Sequence, residues 1–187
     1  MGRSKRLVKL SKRLSFLLRH HPEAEDLVLD EEGFTLRTVE ELAERLDVSP
    51  KEIYRVVETD PKGRFSLRDG RIRANYGHSI SVGRTMLAQR SPASIDDLPG
   101  ELYHGTAPRN VSAIRNEGLT AQGRQMVHLS TSVEEARRVG RRHAPTPRIF
   151  VIDVQNALES DVKMWKAGPE TVLSTRIPPN CIRSADG

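Results

Sequence analysis

Apolar residues recur at helical spacing from Ser4 to His20, where Leu7, Leu10, Leu14, Leu17 and Leu18 line one side of a predicted amphipathic helix. Lys5, Lys9, Lys12 and Arg19 fall on one stripe of its polar side, and Arg6, Arg13 and His20 on the next. Pro22 disfavours helix at His21, and Leu27 to Leu36 alternates around Gly33 as a short extended segment. Thr38 and Glu41 have the spacing of a capping box at the head of a helix over Val39 to Leu46. Ser49-Pro50 opens another over Lys51 to Glu58 in the same way. After Asp60-Pro61, the alternating stretches Arg64 to Arg68 and Arg71 to Tyr76 flank Asp69-Gly70, a strong hairpin signal. Helices followed by a hairpin describe a winged helix, a module that either binds nucleic acid or packs against other protein. Gly83 to Gly100, punctuated by Ser91, Pro92, Ser94 and Pro99, reads as a linker, so residues 1–92 and 93–187 are expected to form separate lobes.

The second lobe opens with a short strand, Glu101 to His104, followed by a helix from about Arg109 to Asn116 that Gly118 ends. Val127 to Ser130 is a strand, Ser132 begins a helix through about Arg142, and Arg148 to Val154 is an apolar strand buried on both faces. Short strands are expected at Val162 to Trp165, Thr171 to Ser174 and Cys181 to Arg183, with little helix near the end. The fold class is therefore α+β. Trp165, a lone aromatic beside a strand, is expected to pack in the core.

Charge changes this picture more than size does. Residues 1–21 carry seven basic and no acidic side chains, residues 22–61 four and thirteen, and residues 62–90 seven and one. Arginine outnumbers lysine 23 to 7, and its planar fork pairs with phosphate oxygens. A polyanionic partner fits, although charge alone equally fits a solvated surface or an arginine-rich, heat-tolerant one. No apolar run approaches the ~20 residues that cross a bilayer, and the basic start lacks a signal peptide's apolar core, so a cytoplasmic chain without a membrane partner is expected. Cys181 is the single cysteine, which excludes an internal disulfide and a thiolate zinc site.

No G-x-G-x-x-G, G-x-x-x-x-G-K-[ST], H-E-x-x-H or G-x-S-x-G motif is present. Four segments instead place His and Arg beside small residues: Arg19-His20, Arg73 to Ser79, Tyr103 to Thr106, and Arg124 to Ser130. None of the four contains a carboxylate, which suits an anionic substrate that acts as its own nucleophile. Taken singly, Arg19-His20 also reads as a basic helix terminus, and His104 or His128 as a hydrogen-bonded core residue.

In order, L-S-K-x-L-S-x-L-L-R-H, R-F-x-L, I-R-A-N-x-G-H-S, Y-H-G-T, G-L and R-x-x-V-H-L-S closely resemble the RNA 2′-phosphotransferase (KptA) family from Leu10 to about Leu173. The resemblance implies a winged-helix lobe for the RNA phosphate and an ADP-ribosyltransferase-like lobe, with a mixed, mostly antiparallel β core, for NAD⁺ as co-substrate. It also implies attack of an internal RNA 2′-phosphate on NAD⁺, expulsion of nicotinamide, and then attack of a ribose hydroxyl on the phosphate. No metal is required by that scheme, and a monomer is expected.

Residue by residue, the family's catalytic set falls on Arg19, His20, Arg73 and Arg124. Its NAD⁺ positions fall on His104, Gly105, Thr106, His128 and Ser130, with Gly105 letting the backbone approach the nicotinamide amide. Substrate contacts are implied for Lys12, Asn75, Gly77, His78 and Ser79. Val172 stands where protein-modifying ADP-ribosyltransferases place a glutamate. Tyr76, Met126 and Gly168 to Val172 depart from the family's usual Gln, His and S-x-N-G-V run. Two rivals are a non-catalytic nucleic-acid module and an ADP-ribosyltransferase acting on another acceptor, such as a terminal phosphate.

Overall fold

The computed structural model describes residues 4–81 and 91–185. They fall in two compact units, Met1–Gln89 and Arg90–Gly187. Residues 83–90 of the expected linker lie outside the described residues.

In the first unit, Ser4 caps helix α1 (Lys5–Arg19) by accepting the Leu7 amide, and Leu7, Leu10, Leu14, Leu17 and Leu18 are buried as the periodicity predicts. A short 3-10 turn, Pro22–Glu25, follows that the sequence pattern did not suggest. Leu27 to Leu36 is not a full strand. It folds back through a Leu29↔Thr35 bridge about Gly33, whose φ of 80° favours glycine, and Phe34 bridges Arg73. Helix α2 (Val39–Leu46) carries the Thr38–Glu41 capping box, and α3 (Pro50–Glu58) begins with proline at its first position. Strands β1 (Phe65–Arg68) and β2 (Arg71–Ala74) pair antiparallel about Asp69 and Gly70, both at positive φ. The three helices and the hairpin bury one core, in which Leu14, Leu18, Leu42, Ile53 and Ile72 are sealed from solvent.

The second unit is a six-stranded sheet of order β6-β7-β4-β3-β5-β8. Its strands are β3 (Glu101–Thr106), β4 (Val127–Ser130), β5 (Arg148–Asp153), β6 (Met164–Gly168), β7 (Thr171–Ser174) and β8 (Ile182–Ser184). Among the described residues every pairing of this sheet is antiparallel, with no parallel pair of the expected mixed kind. Helices α4 (Val111–Glu117), α5 (Val133–Gly140) and α6 (Val154–Glu159) accompany the sheet. Helix α6 was not foreseen: the apolar run of β5 stops at Asp153, whose carboxylate accepts the Asn156 amide and starts a new helix. Ile149 to Ile152 are all buried, as expected for an interior strand, and Trp165 is buried as well. No helix among the described residues is long and apolar enough to cross a membrane.

Candidate functional site

Within the first unit, the end of α1 and the segment after β2 are stitched together. The Ser79 amide donates to the Arg19 carbonyl at 3.0 Å, and His20 Nδ1 lies 2.9 Å from Ser79 Oγ. Gly77 makes this possible. At φ 89° it turns the chain where a side chain would be strained, and the Arg19 side chain runs beside it. Arg19 also sits over the Tyr76 ring, 5.1 Å from its centroid, while the Tyr76 hydroxyl donates to the Lys62 carbonyl.

Arg73 is held from the other side. Its guanidinium rests on Phe34, 4.6 Å from the ring centroid, and donates to the Glu32 carbonyl at 3.2 Å. Arg68 lies over the same ring at 4.3 Å and grips the Glu32 carboxylate with both prongs, at 2.7 and 2.8 Å. That carboxylate is therefore already taken up beside Arg73. Sequence reasoning missed Phe34 and Glu32, because their link to Arg73 depends on the fold-back of residues 29–35 against β2.

His78 is 4% exposed, and its Nε2 has no hydrogen-bond partner among the described residues. Burial, and then the nearby charges of Arg19, His20 and Arg73, push its pKa down to about 4. Arg19, His20, Arg73, His78 and Ser79 are thus neighbours, as the motifs suggested. Asn75 differs: its amide is committed to the hairpin base, donating to the Gly63 carbonyl and accepting from Ser66. Lys12 is exposed on α1.

The buried His78 makes a pH prediction. Unfolded, the imidazole takes up its proton near 6.5, whereas the folded one refuses it until about 4. Stability present above pH 6.5 is therefore lost as pH falls toward 4, by about 3 kcal/mol from this group. Urea unfolding at about pH 7 and pH 4.5 is expected to show a shallower decline in His78→Asn. An undiminished decline in the variant would assign the acid lability to other groups.

In the second unit, His104 on β3 donates from Nδ1 to the His128 carbonyl at 3.1 Å, and His128 on β4 donates from Nδ1 to the Met126 carbonyl at 3.1 Å. Desolvation, and secondarily the charges of His143 and Arg124, hold His104 below the ordinary imidazole range. Neutral His104 therefore carries a lone pair on Nε2, able to accept from an amide or a ribose hydroxyl. Backbone carbonyls thus orient both imidazoles through Nδ1. Thr106 Oγ1 accepts from Asn110 Nδ2 at 3.0 Å, and Ser130 pairs across from Tyr103.

Arg124 follows a turn closed onto Ala121 and is exposed, with Arg142 lowering its pKa after desolvation. Arg142 and His143 escaped the sequence reading. They lie just past α5, and only folding brings their charge to bear on Arg124 and His104. These cations can pair with phosphate oxygens, and the oriented imidazoles can bond an amide or hydroxyl. Gly105 has a further duty: a Cβ there would fall 2.0 Å from the Ala136 carbonyl oxygen on α5. Val172 is buried in the core, and Glu170 in the departing run pairs with Arg138. No group of three or more His, Cys, Asp or Glu able to hold a metal occurs among the described residues.

The chain matches the RNA 2'-phosphotransferase, Tpt1 / KptA family over residues 5–176. It is 41% identical to a "Probable RNA 2'-phosphotransferase" of Haloarcula marismortui, over 91% of this chain and 80% of that protein. Proteins of the same name from Thermococcus kodakarensis and Acetivibrio thermocellus are 39% and 37% identical, covering 95% and 94% of this chain and 96% and 95% of theirs.

Proposed function

The chain belongs to the RNA 2'-phosphotransferase, Tpt1 / KptA family, whose members are transferases, and from that premise we propose that it removes an internal 2′-phosphate from RNA by transferring it to NAD⁺. In this reading residues 1–92 act as a winged-helix RNA lobe and residues 93–187 as an ADP-ribosyltransferase-like lobe. The observation that carries it is the grouping of Arg19, His20 and Arg73 about neutral, buried His78, with Arg68 occupying the Glu32 carboxylate beside Arg73. Such a grouping suits a phosphate dianion, whose oxygens the guanidinium forks can take in pairs.

NAD⁺ supplies an electrophilic ribose carbon with nicotinamide as leaving group. The RNA 2′-phosphate oxygen forms a bond to that carbon as the bond to nicotinamide breaks. The neighbouring ribose hydroxyl then attacks phosphorus, and the RNA 2′-oxygen departs with a proton. RNA with a 2′-hydroxyl and ADP-ribose 1″,2″-cyclic phosphate result. Arg19 and Arg73 neutralise charge on the phosphate, most strongly in the crowded second step, where it peaks, and Arg124 completes the proposed catalytic set. His20, oriented by Ser79, relays the proton of that step. His104, Gly105, Thr106, His128 and Ser130 bind the dinucleotide.

A short 2′-phosphorylated RNA incubated with and without NAD⁺, each with excess EDTA, tests the reading by product mass. Dephosphorylated RNA and a cyclic phosphate of ADP-ribose are expected only with NAD⁺, and chelation is expected to leave turnover intact. Free orthophosphate in the absence of NAD⁺ would identify a phosphatase instead, and activity lost to EDTA and restored by Mg²⁺ would overturn the metal-free scheme.

A further inference from the structure

The polar side of α1 divides in two once its partners are known. Arg6 pairs with Glu52, and Arg13 pairs with Glu25 while donating to the Leu46 carbonyl, so one basic stripe is spent inside the unit. Lys5, Lys9 and Lys12 on the other stripe are exposed and have no ion pair among the described residues. Phe16 continues that same stripe at helical spacing, and Arg19 ends it, next to His20 at the helix C-cap. At 49% exposed, Phe16 is the one aromatic among the exposed large hydrophobic side chains of the described residues. His21 stacks on it with ring centroids 4.7 Å apart, widening the flat surface beside His20.

An apolar ring left in water next to uncompensated lysines fits a single-stranded nucleic acid, which offers base faces for stacking and phosphates for the ammonium groups. A protein partner would be expected to meet the same face with carboxylates and branched apolar side chains. Continuity with Arg19 and His20 favours the RNA that already bears the 2′-phosphate. We propose that the Lys5–Lys9–Lys12–Phe16 face of α1 is a track for the substrate RNA strand flanking the phosphorylated nucleotide, with a base stacked on Phe16. This inference rests on the proposed function for the identity of the RNA, and it adds where the rest of the strand lies. A minimal substrate, being too short to reach the track, depends only on the Arg/His cluster. A longer strand gains affinity from the track.

The test compares kcat/KM for a 2′-phosphorylated dinucleotide and for a single strand of about ten nucleotides with one internal 2′-phosphate, a length within the usual span of such tracks. The proteins are the full chain, Phe16→Leu, and Lys5→Gln combined with Lys9→Gln; Lys12 is left intact because it falls in the family's substrate set. The same proteins are titrated with the unphosphorylated ten-mer across salt concentrations. The full chain is expected to prefer the longer RNA, and both variants are expected to keep dinucleotide turnover. Phe16→Leu should weaken ten-mer binding roughly 5-fold or more, and each lost lysine should lower the log–log salt slope by about 0.7.

Equal kcat/KM on the two RNAs in the full chain, or ten-mer binding and salt slope unchanged in the variants, overturns the track. So does a change in sedimentation of Phe16→Leu with RNA binding unaffected, which would mark the face as a protein contact. If neither phosphorylated RNA is turned over, the proposed function fails, and the unphosphorylated ten-mer still decides the track.

Discussion

His20→Ala is expected to slow RNA product formation by roughly 10²- to 10⁴-fold, while nicotinamide release falls less and an ADP-ribosylated 2′-phospho-RNA accumulates. In the proposed reaction the first step needs no general base, since its nucleophile is already an anion, whereas the second must move a proton and bear the greater charge. His20 contacts Ser79, whose own amide is anchored on the Arg19 carbonyl, so the substitution leaves the loop tied to α1. Arg73→Lys and Arg124→Lys retain charge and lose the fork, and a loss of about 10-fold or more in each, ~1.4 kcal/mol, is expected. Arg73 should suffer further, because lysine presents no flat cation to lie on Phe34 and reaches the Glu32 carbonyl with a single ammonium. Single-turnover measurement with labelled 2′-phosphorylated RNA, following nicotinamide and RNA separately, decides the matter. Equal slowing of both products with no intermediate at any time would move these residues to binding or the first step and withdraw the proton role of His20.

Gly105→Ala is expected to cost the second unit about 3 kcal/mol or more of stability. The added methyl carbon would lie 2.0 Å from the Ala136 carbonyl oxygen and 2.8 Å from its carbon, both backbone atoms of α5, so relief requires the helix to move off β3. Gly100→Ala is the matched control: nothing lies within 4 Å of a Cβ there, and little change is expected. Urea unfolding of the two variants separates two reasons for the glycine. Stability like that of Gly100→Ala, together with weakened NAD⁺ binding, would make close approach of the dinucleotide the sole reason. A large loss of stability assigns the glycine first to helix packing.

Much of the first unit was legible because its signals are local. The Thr38–Glu41 box, the five leucines of α1 and the Asp69-Gly70 turn act over a few residues, and each appears where the pattern put it. The second unit was legible in its apolar runs and less so at their ends. Asp153 closes β5 and caps α6 with one side chain, and a strand's last residue looks the same as a helix's first until the backbone is traced. Leu27 to Leu36 alternates like a strand, yet its pairings among the described residues are a bridge to itself and one to Arg73, because Gly33 reverses the chain.

At the site, the motif residues Arg19, His20, Arg73, His78 and Ser79 could be named from order and type along the chain. Their support could not. Phe34 and Glu32 meet Arg73 and Arg68 across more than thirty positions of sequence, and no spacing rule connects residues that far apart. The chain by itself determined most of the helices, the hairpin and the interior strand, and which cations stand beside small turn residues, since these follow from side-chain period and backbone preference. The tertiary structure alone decided which of those cations are consumed. It pairs Arg6 and Arg13 with Glu52 and Glu25, leaves Lys5, Lys9 and Lys12 in water, and seals His78 so that desolvation keeps it neutral among charges. Charge on a side chain is a property of sequence, whereas its neutralisation and its contact with water depend on what the fold brings within a few ångströms.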